Sequence, residues 1–211
     1  MRLNIAYIDE ETKALDIFGR RLSKCFGGEA NVIGLAPELN LNDMVEKIMS
    51  IENLRSLIVD QKLTAAGTAK YIGTELAEAI RSLDKKLPVY ILTNYAGDVD
   101  SSDKNIEYVL SKTDLVSTDK IASIAARLRR HIDVFDDICT EREKRFEEIL
   151  RKSQREKLSD DEIAEYGELS FYRSKQVTAA ELINAHELEK RAEAAEEMLN
   201  IIYSALRGRQ I

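Results

Sequence analysis

The sequence predicts an α/β protein, a doubly wound five-stranded parallel sheet followed by an α-helical C-terminal extension. Three observations lead there. Short apolar runs alternate with amphipathic stretches as far as about residue 134, the pattern of parallel strands with helical crossovers. The 211 residues hold only two prolines and nine glycines, with 33% charged and 44% hydrophobic side chains, a composition of helix-rich globular chains. Beyond residue 118, apolar residues recur at three- and four-residue spacing, and no glycine or proline interrupts them before Gly167.

Taken in order, "LNIAYID" (3–9) reads as the first strand. The following helix (11–26) places Leu15, Phe18, Leu22 and Phe26 on one face and stops at Gly27-Gly28. "NVIGLAP" (31–37) is a weaker second strand. Asn40 is suited to cap a second helix that turns Met44, Val45, Ile48 and Ile51 inward. "LRSLIVD" (54–60) is the third strand and "GTELAEAIRSL" (73–83) the third helix. Pro88 opens the fourth strand, "VYILT" (89–93). Residues 96–106 are polar and read as a loop with at most a short turn. "EYVLSK" (107–112) is the fifth strand. Ser117 or Thr118 then caps a helix with Ile121, Ile124, Leu128 and Ile132 inward, and this helix is expected to run on as one rod to about residue 157.

"SDDE" (159–162) is a capping box and starts another helix, carrying Ile163, Tyr166, Leu169, Phe171 and Tyr172. "TAAE" (178–181) repeats the box and opens a last helix to about Arg207, with Gly208 as its stop. Its seam of Leu188, Ala192, Ala195, Leu199, Ile202 and Leu206 is spaced alternately four and three. Rod and seam together predict a homodimer built through the C-terminal helices. The boundary between the two parts is expected near residue 133, giving units 1–133 and 134–211.

Composition weighs against some functions. Net charge is −7, and both halves are acidic, with 20 acids against 18 bases in residues 1–134 and 18 against 13 in 135–211. Nucleic-acid binding is disfavoured, since neither half supplies a basic excess, and no stretch reads as a DNA-reading helix-turn-helix. No apolar run can span a bilayer. The first residues lack the apolar core of a signal peptide, so a cytoplasmic protein is expected. Cys25 and Cys139 lie far apart with no metal-like spacing and read as reduced thiols.

In an open parallel sheet, ligand sites form beyond the carboxyl ends of the strands. The residues ending these strands are Asp9 and Glu10, Asp60, Thr93 and Lys112. Three carboxylates on one rim repel one another unless a hard cation sits among them, and oxygen ligands of this kind suit Mg²⁺. One carboxylate could then attack a phosphoryl group, with Lys112 and the Thr93 hydroxyl stabilising the phosphoryl oxygens. Taken alone, a strand-end aspartate such as Asp60 is usually a turn or cap residue.

The stretches "YIDEE", "LIVDQKL", "GTELAEAIR", "LPVYILTNYAG" and "YVLSKTD", in that order, resemble the receiver domain of bacterial two-component response regulators over residues 3 to about 133. The resemblance implies a flavodoxin-like receiver with strand order 2-1-3-4-5. It implies that Asp60 takes a phosphoryl group from a histidine kinase or phosphotransfer protein. Asp9, Glu10 and Asp60 would hold Mg²⁺, helped by a backbone carbonyl of Gln61 or Lys62. Any enzymatic activity would be limited to self-phosphorylation and loss of that phosphate.

The chain departs from the family pattern in four places. Thr113 follows the lysine where a cis-proline is usual. Asn94 is larger than the usual small residue and would narrow access. Lys62 adds a second cation near the acceptor. The aromatic switch position is Val109, with Tyr108 one place off. Two other readings stay open. One is a non-phosphorylated pseudo-receiver serving as a helical scaffold or adaptor. The other is a phosphate shuttle in which His186, before Glu187 and nearly opposite the seam, acts as relay. A haloacid-dehalogenase-type phosphatase needs an Asp-x-Asp on the first strand, where this chain has Asp9-Glu10-Glu11. His131, in "RLRRHI", shows no partner pattern.

Overall fold

A computed structural model describes residues 3–100 and 103–174. The first element is strand β1 (Leu3–Ile8), followed by helix α1 (Thr12–Cys25), β2 (Ala30–Leu35), α2 (Leu41–Met49), β3 (Leu54–Asp60), α3 (Gly73–Leu83), β4 (Val89–Thr93) and β5 (Tyr108–Ser111). A short α4 (Lys112–Val116) leads into the long α5 (Thr118–Ser153), and α6 (Asp160–Ser174) closes the described chain. All strand pairs are parallel, in the order β2-β1-β3-β4-β5.

Period-two alternation divides the core between the two faces of this sheet. Ala6, Ile8, Leu57, Val59, Val89 and Ile91 face α2 and α3, where Met44, Val45, Ile48, Leu76, Ala77 and Ile80 meet them. Ile5, Tyr7, Ile58, Tyr90, Leu92 and Leu110 face the opposite way, onto Leu22, Cys25, Phe26, Leu128 and Ile132. The central strands β1, β3 and β4 are therefore buried on both sides and read as continuous apolar runs. At α1 the helix ends where expected, with Gly27 and Gly28 at φ 57° and 86°.

Several expectations shift. β5 stops at Ser111, so Lys112 opens α4 instead of ending a strand. A five-residue helix has no periodicity to announce it. The Ser111 hydroxyl accepts the Thr113 N–H, and no described peptide bond is cis. Asn40 does occupy the N-cap position of α2, but its side chain donates to Asp43 in place of accepting a backbone N–H. The described residues between 96 and 106 form a loop, with one short turn at Ala96–Asp98, and Val99 and Ile106 plug into the core. His131 has a partner after all: Tyr90 Oη lies 2.6 Å from its Nδ1, with the rings stacked.

The rod α5 ends at Ser153, four residues short of the expected point. The chain then turns, Leu158 packs with Phe146, Ile149 and Leu169, and α6 returns antiparallel along α5. The pairs Arg145–Glu165, Lys152–Glu162 and Arg173–Glu143 fix that direction. The capping box at Ser159 forms in both directions with Glu162. Ile163 points outward, 53% exposed. Past residue 133, α5 still belongs to the α/β core: Phe135 is buried with the α2–α3 cluster, Arg55 pairs with Asp136, and Arg142 grips Asp84. The expected last helix with its seam, the second capping box and His186 lie outside the described residues.

Candidate functional site

The carboxyl ends of β1 and β3 and the start of α4 bring four of the five expected residues together. Oxygens of Asp9, Glu10 and Asp60 all lie within 4.8 Å of one another. The Lys112 ammonium stands among them, 2.7 Å from Asp9 Oδ2 and 3.1 Å from Asp60 Oδ1, and it is almost fully buried. Asp9 has no solvent exposure. Its Oδ2 also accepts the Tyr7 hydroxyl at 2.6 Å, and its Oδ1 accepts the Glu11 N–H at 3.0 Å. Glu10 is half-buried, and its Oε2 is buried without a hydrogen-bond partner.

The charges do not balance, with one cation facing three acids. Burial is the largest influence on Glu10, whose carboxyl is pushed up to about 7, with the Asp60 and Asp9 charges adding to it. Burial also raises Asp60, opposed by the charge and hydrogen bond of Lys112 and by the Lys62 backbone N–H. For Lys112, burial works downward. The hydrogen bond to Asp9 and the charges of Asp60 and Asp9 more than offset it, so its pKa is raised. Surplus negative charge, clustered oxygen donors and an orphaned buried carboxylate oxygen fit a divalent hard cation.

Thr93 ends β4 on the same rim and is buried, with its hydroxyl accepting the Tyr95 N–H at 3.1 Å. Among the described residues no hydrogen bond joins it to the carboxylates. Lys62 does not turn to Asp60; its ammonium lies 4.3 Å over the exposed Tyr95 ring. Asn94 is exposed. Tyr108 points outward, with Arg127 stacked on its ring at 4.1 Å, and Val109 is half-buried.

Two residues of the site escaped the sequence. Tyr7 precedes Asp9 by two on a strand, hence on the same face, and only the folded rim shows that its hydroxyl ends there. Gly73 starts α3 against the end of β3, and a Cβ there would stand 2.4 Å from the Asp60 carbonyl oxygen and 3.0 Å from Gln61 Cα. Its N–H donates to the Gln61 carbonyl at 3.0 Å. The only signal for it was a glycine where a helix begins.

No protein-family model matches the chain, and no curated protein sequence matches it. Topology defines the class as a doubly wound α/β domain of flavodoxin-like strand order, carrying an α-helical extension. Among solved structures the chain is similar to a CheY-like response regulator receiver domain protein from Methanospirillum hungatei. The two share 18% identity at a TM-score of 0.48, over 65% of this chain and 98% of that one. It is also similar to the response regulator TrrA of Thermotoga maritima in complex with Mg²⁺-BeF. Here identity is 16% and the TM-score 0.47, over 62% of this chain and 99% of that one. The constitutive lysine decarboxylase of E. coli shares 16% identity at a TM-score of 0.46, over 75% of this chain but 21% of its own length.

Proposed function

We propose that this protein is a phosphoacceptor in a two-component phosphorelay, with Asp60 as the acceptor. The observation that carries this reading is the buried carboxylate cluster with Lys112 within hydrogen-bond distance of the acceptor and of its neighbour Asp9. In the proposed reaction an Asp60 oxygen attacks the phosphorus of a phosphohistidine on a kinase or phosphotransfer partner. The P–N bond breaks, its electron pair returns to the imidazole nitrogen, and an acyl phosphate forms on Asp60. Lys112 turns its ammonium from the Asp60 carboxylate to the phosphoryl oxygens, and the Thr93 hydroxyl donates to another of them. Asp9, Glu10 and Asp60 would hold Mg²⁺, which supplies charge neutralisation at those oxygens. Output runs through α5, which is continuous from the α/β unit into the helical part, to a second copy of the chain or another protein.

The test is incubation with acetyl phosphate and Mg²⁺, followed by intact-mass spectrometry and light scattering. The wild type is expected to gain one phosphoryl group, Asp60→Ala none, and oligomeric state is expected to change with phosphorylation. An unmodified wild type would leave the scaffold reading in place. A modification retained in Asp60→Ala would move the acceptor elsewhere.

A further inference from the structure

Building on the phosphoacceptor reading, we propose that Tyr7 is a positioning residue of the cation site. Its hydroxyl holds the Asp9 carboxylate in place for a divalent cation when Lys112 moves away. Asp9 is fully buried, so each of its oxygens depends on protein donors. Oδ2 has two, the Tyr7 hydroxyl at 2.6 Å and the Lys112 ammonium at 2.7 Å, while Oδ1 has the Glu11 N–H.

These donors differ in permanence. Lys112 is shared with Asp60 and is the group that must follow a phosphoryl oxygen. Tyr7 cannot follow anything. Its ring has no solvent exposure and is packed in the core layer that includes Ile5 and Ile58, so moving it would empty part of the core. With Lys112 gone, Tyr7 is the donor left on Oδ2, and Asp9 remains a fixed anion with lone-pair capacity left on Oδ1. A phenylalanine would fill nearly the same volume, so packing alone gives no reason for a hydroxyl that must find a partner in the interior.

The test is calorimetric Mg²⁺ titration of the full chain as wild type, Tyr7→Phe and Tyr90→Phe. Each variant's Mg²⁺-induced rise in unfolding temperature is read against its own cation-free midpoint. Tyr90 is the control, a buried phenol in the same core layer whose hydroxyl serves His131. Tyr7→Phe is expected to weaken Mg²⁺ binding roughly 10- to 100-fold, the usual cost of removing a hydrogen bond behind a metal ligand, and Tyr90→Phe to leave it unchanged. Equal or tighter binding by Tyr7→Phe, or an equal loss in both variants, overturns the proposal and leaves the phosphoacceptor reading standing. A wild type that binds no Mg²⁺ overturns both.

Discussion

The molecule buries acids beside bases at both ends of its sheet, and the two clusters are built on opposite terms. At the amino end of β4, Asp84 receives both terminal nitrogens of Arg142 at 3.0 Å, plus the Lys86 N–H. Tyr172 of α6 lies under the same guanidinium at 3.8 Å. Charge is matched one to one. At the carboxyl end one lysine faces three carboxylates, a buried oxygen has no partner, and two of the acids are pushed upward. A matched pair specifies structure, joining the α3–β4 turn, α5 and α6. An unmatched cluster costs stability, and perturbed buried acids of this kind mark a candidate functional site.

The largest effect should come from breaking the matched end. Arg142→Ala leaves Asp84 buried and unpaired, and its urea unfolding midpoint should fall by the equivalent of about 3 kcal/mol. Asp60→Asn, at the unmatched end, should leave the midpoint unchanged or raise it, because one of the mutually repelling acids is neutralised. Comparable losses in both variants would erase the distinction. Gly73→Ala should cost about 2 kcal/mol in the same assay, since its Cβ must displace the Asp60 carbonyl, and it should also slow phosphorylation by acetyl phosphate.

The smallest effect is a pH dependence. Glu10 is raised from 4.5 to about 7 in the folded chain. Across that window the folded state binds more protons than the unfolded state, so this group stabilises the fold as pH falls and costs stability as pH rises. Melting temperature should therefore show less gain on acidification in Glu10→Gln than in the wild type. Identical pH profiles would assign the dependence to other groups.

Most of the sheet was legible because its signals are local. β3, β4 and α3 match their predicted bounds, since apolar runs, Pro88 and a helical apolar face mark them unaided. Asp9, Glu10, Asp60 and Lys112 could be placed on one rim because a parallel sheet collects the ends of its strands there. What stayed hidden depends on residues distant in the chain. The stop of α5 at Ser153 follows from Leu158 packing back onto Phe146, with no glycine or proline to mark it. Phe135 looked like part of an outgoing rod and proved to be core. The Tyr95 N–H that the Thr93 hydroxyl accepts comes from the turn after β4, a contact that no spacing in the sequence announces.

The orphaned Glu10 oxygen has a thermochemical consequence. With a carboxyl titrating at about 7, Glu10 is only partly ionised near neutrality. A cation taken up beside it would expel a fraction of a proton into the medium. The heat of binding would then include the heat of protonating the buffer, and titrations in phosphate and in Tris should disagree by an amount that counts that proton.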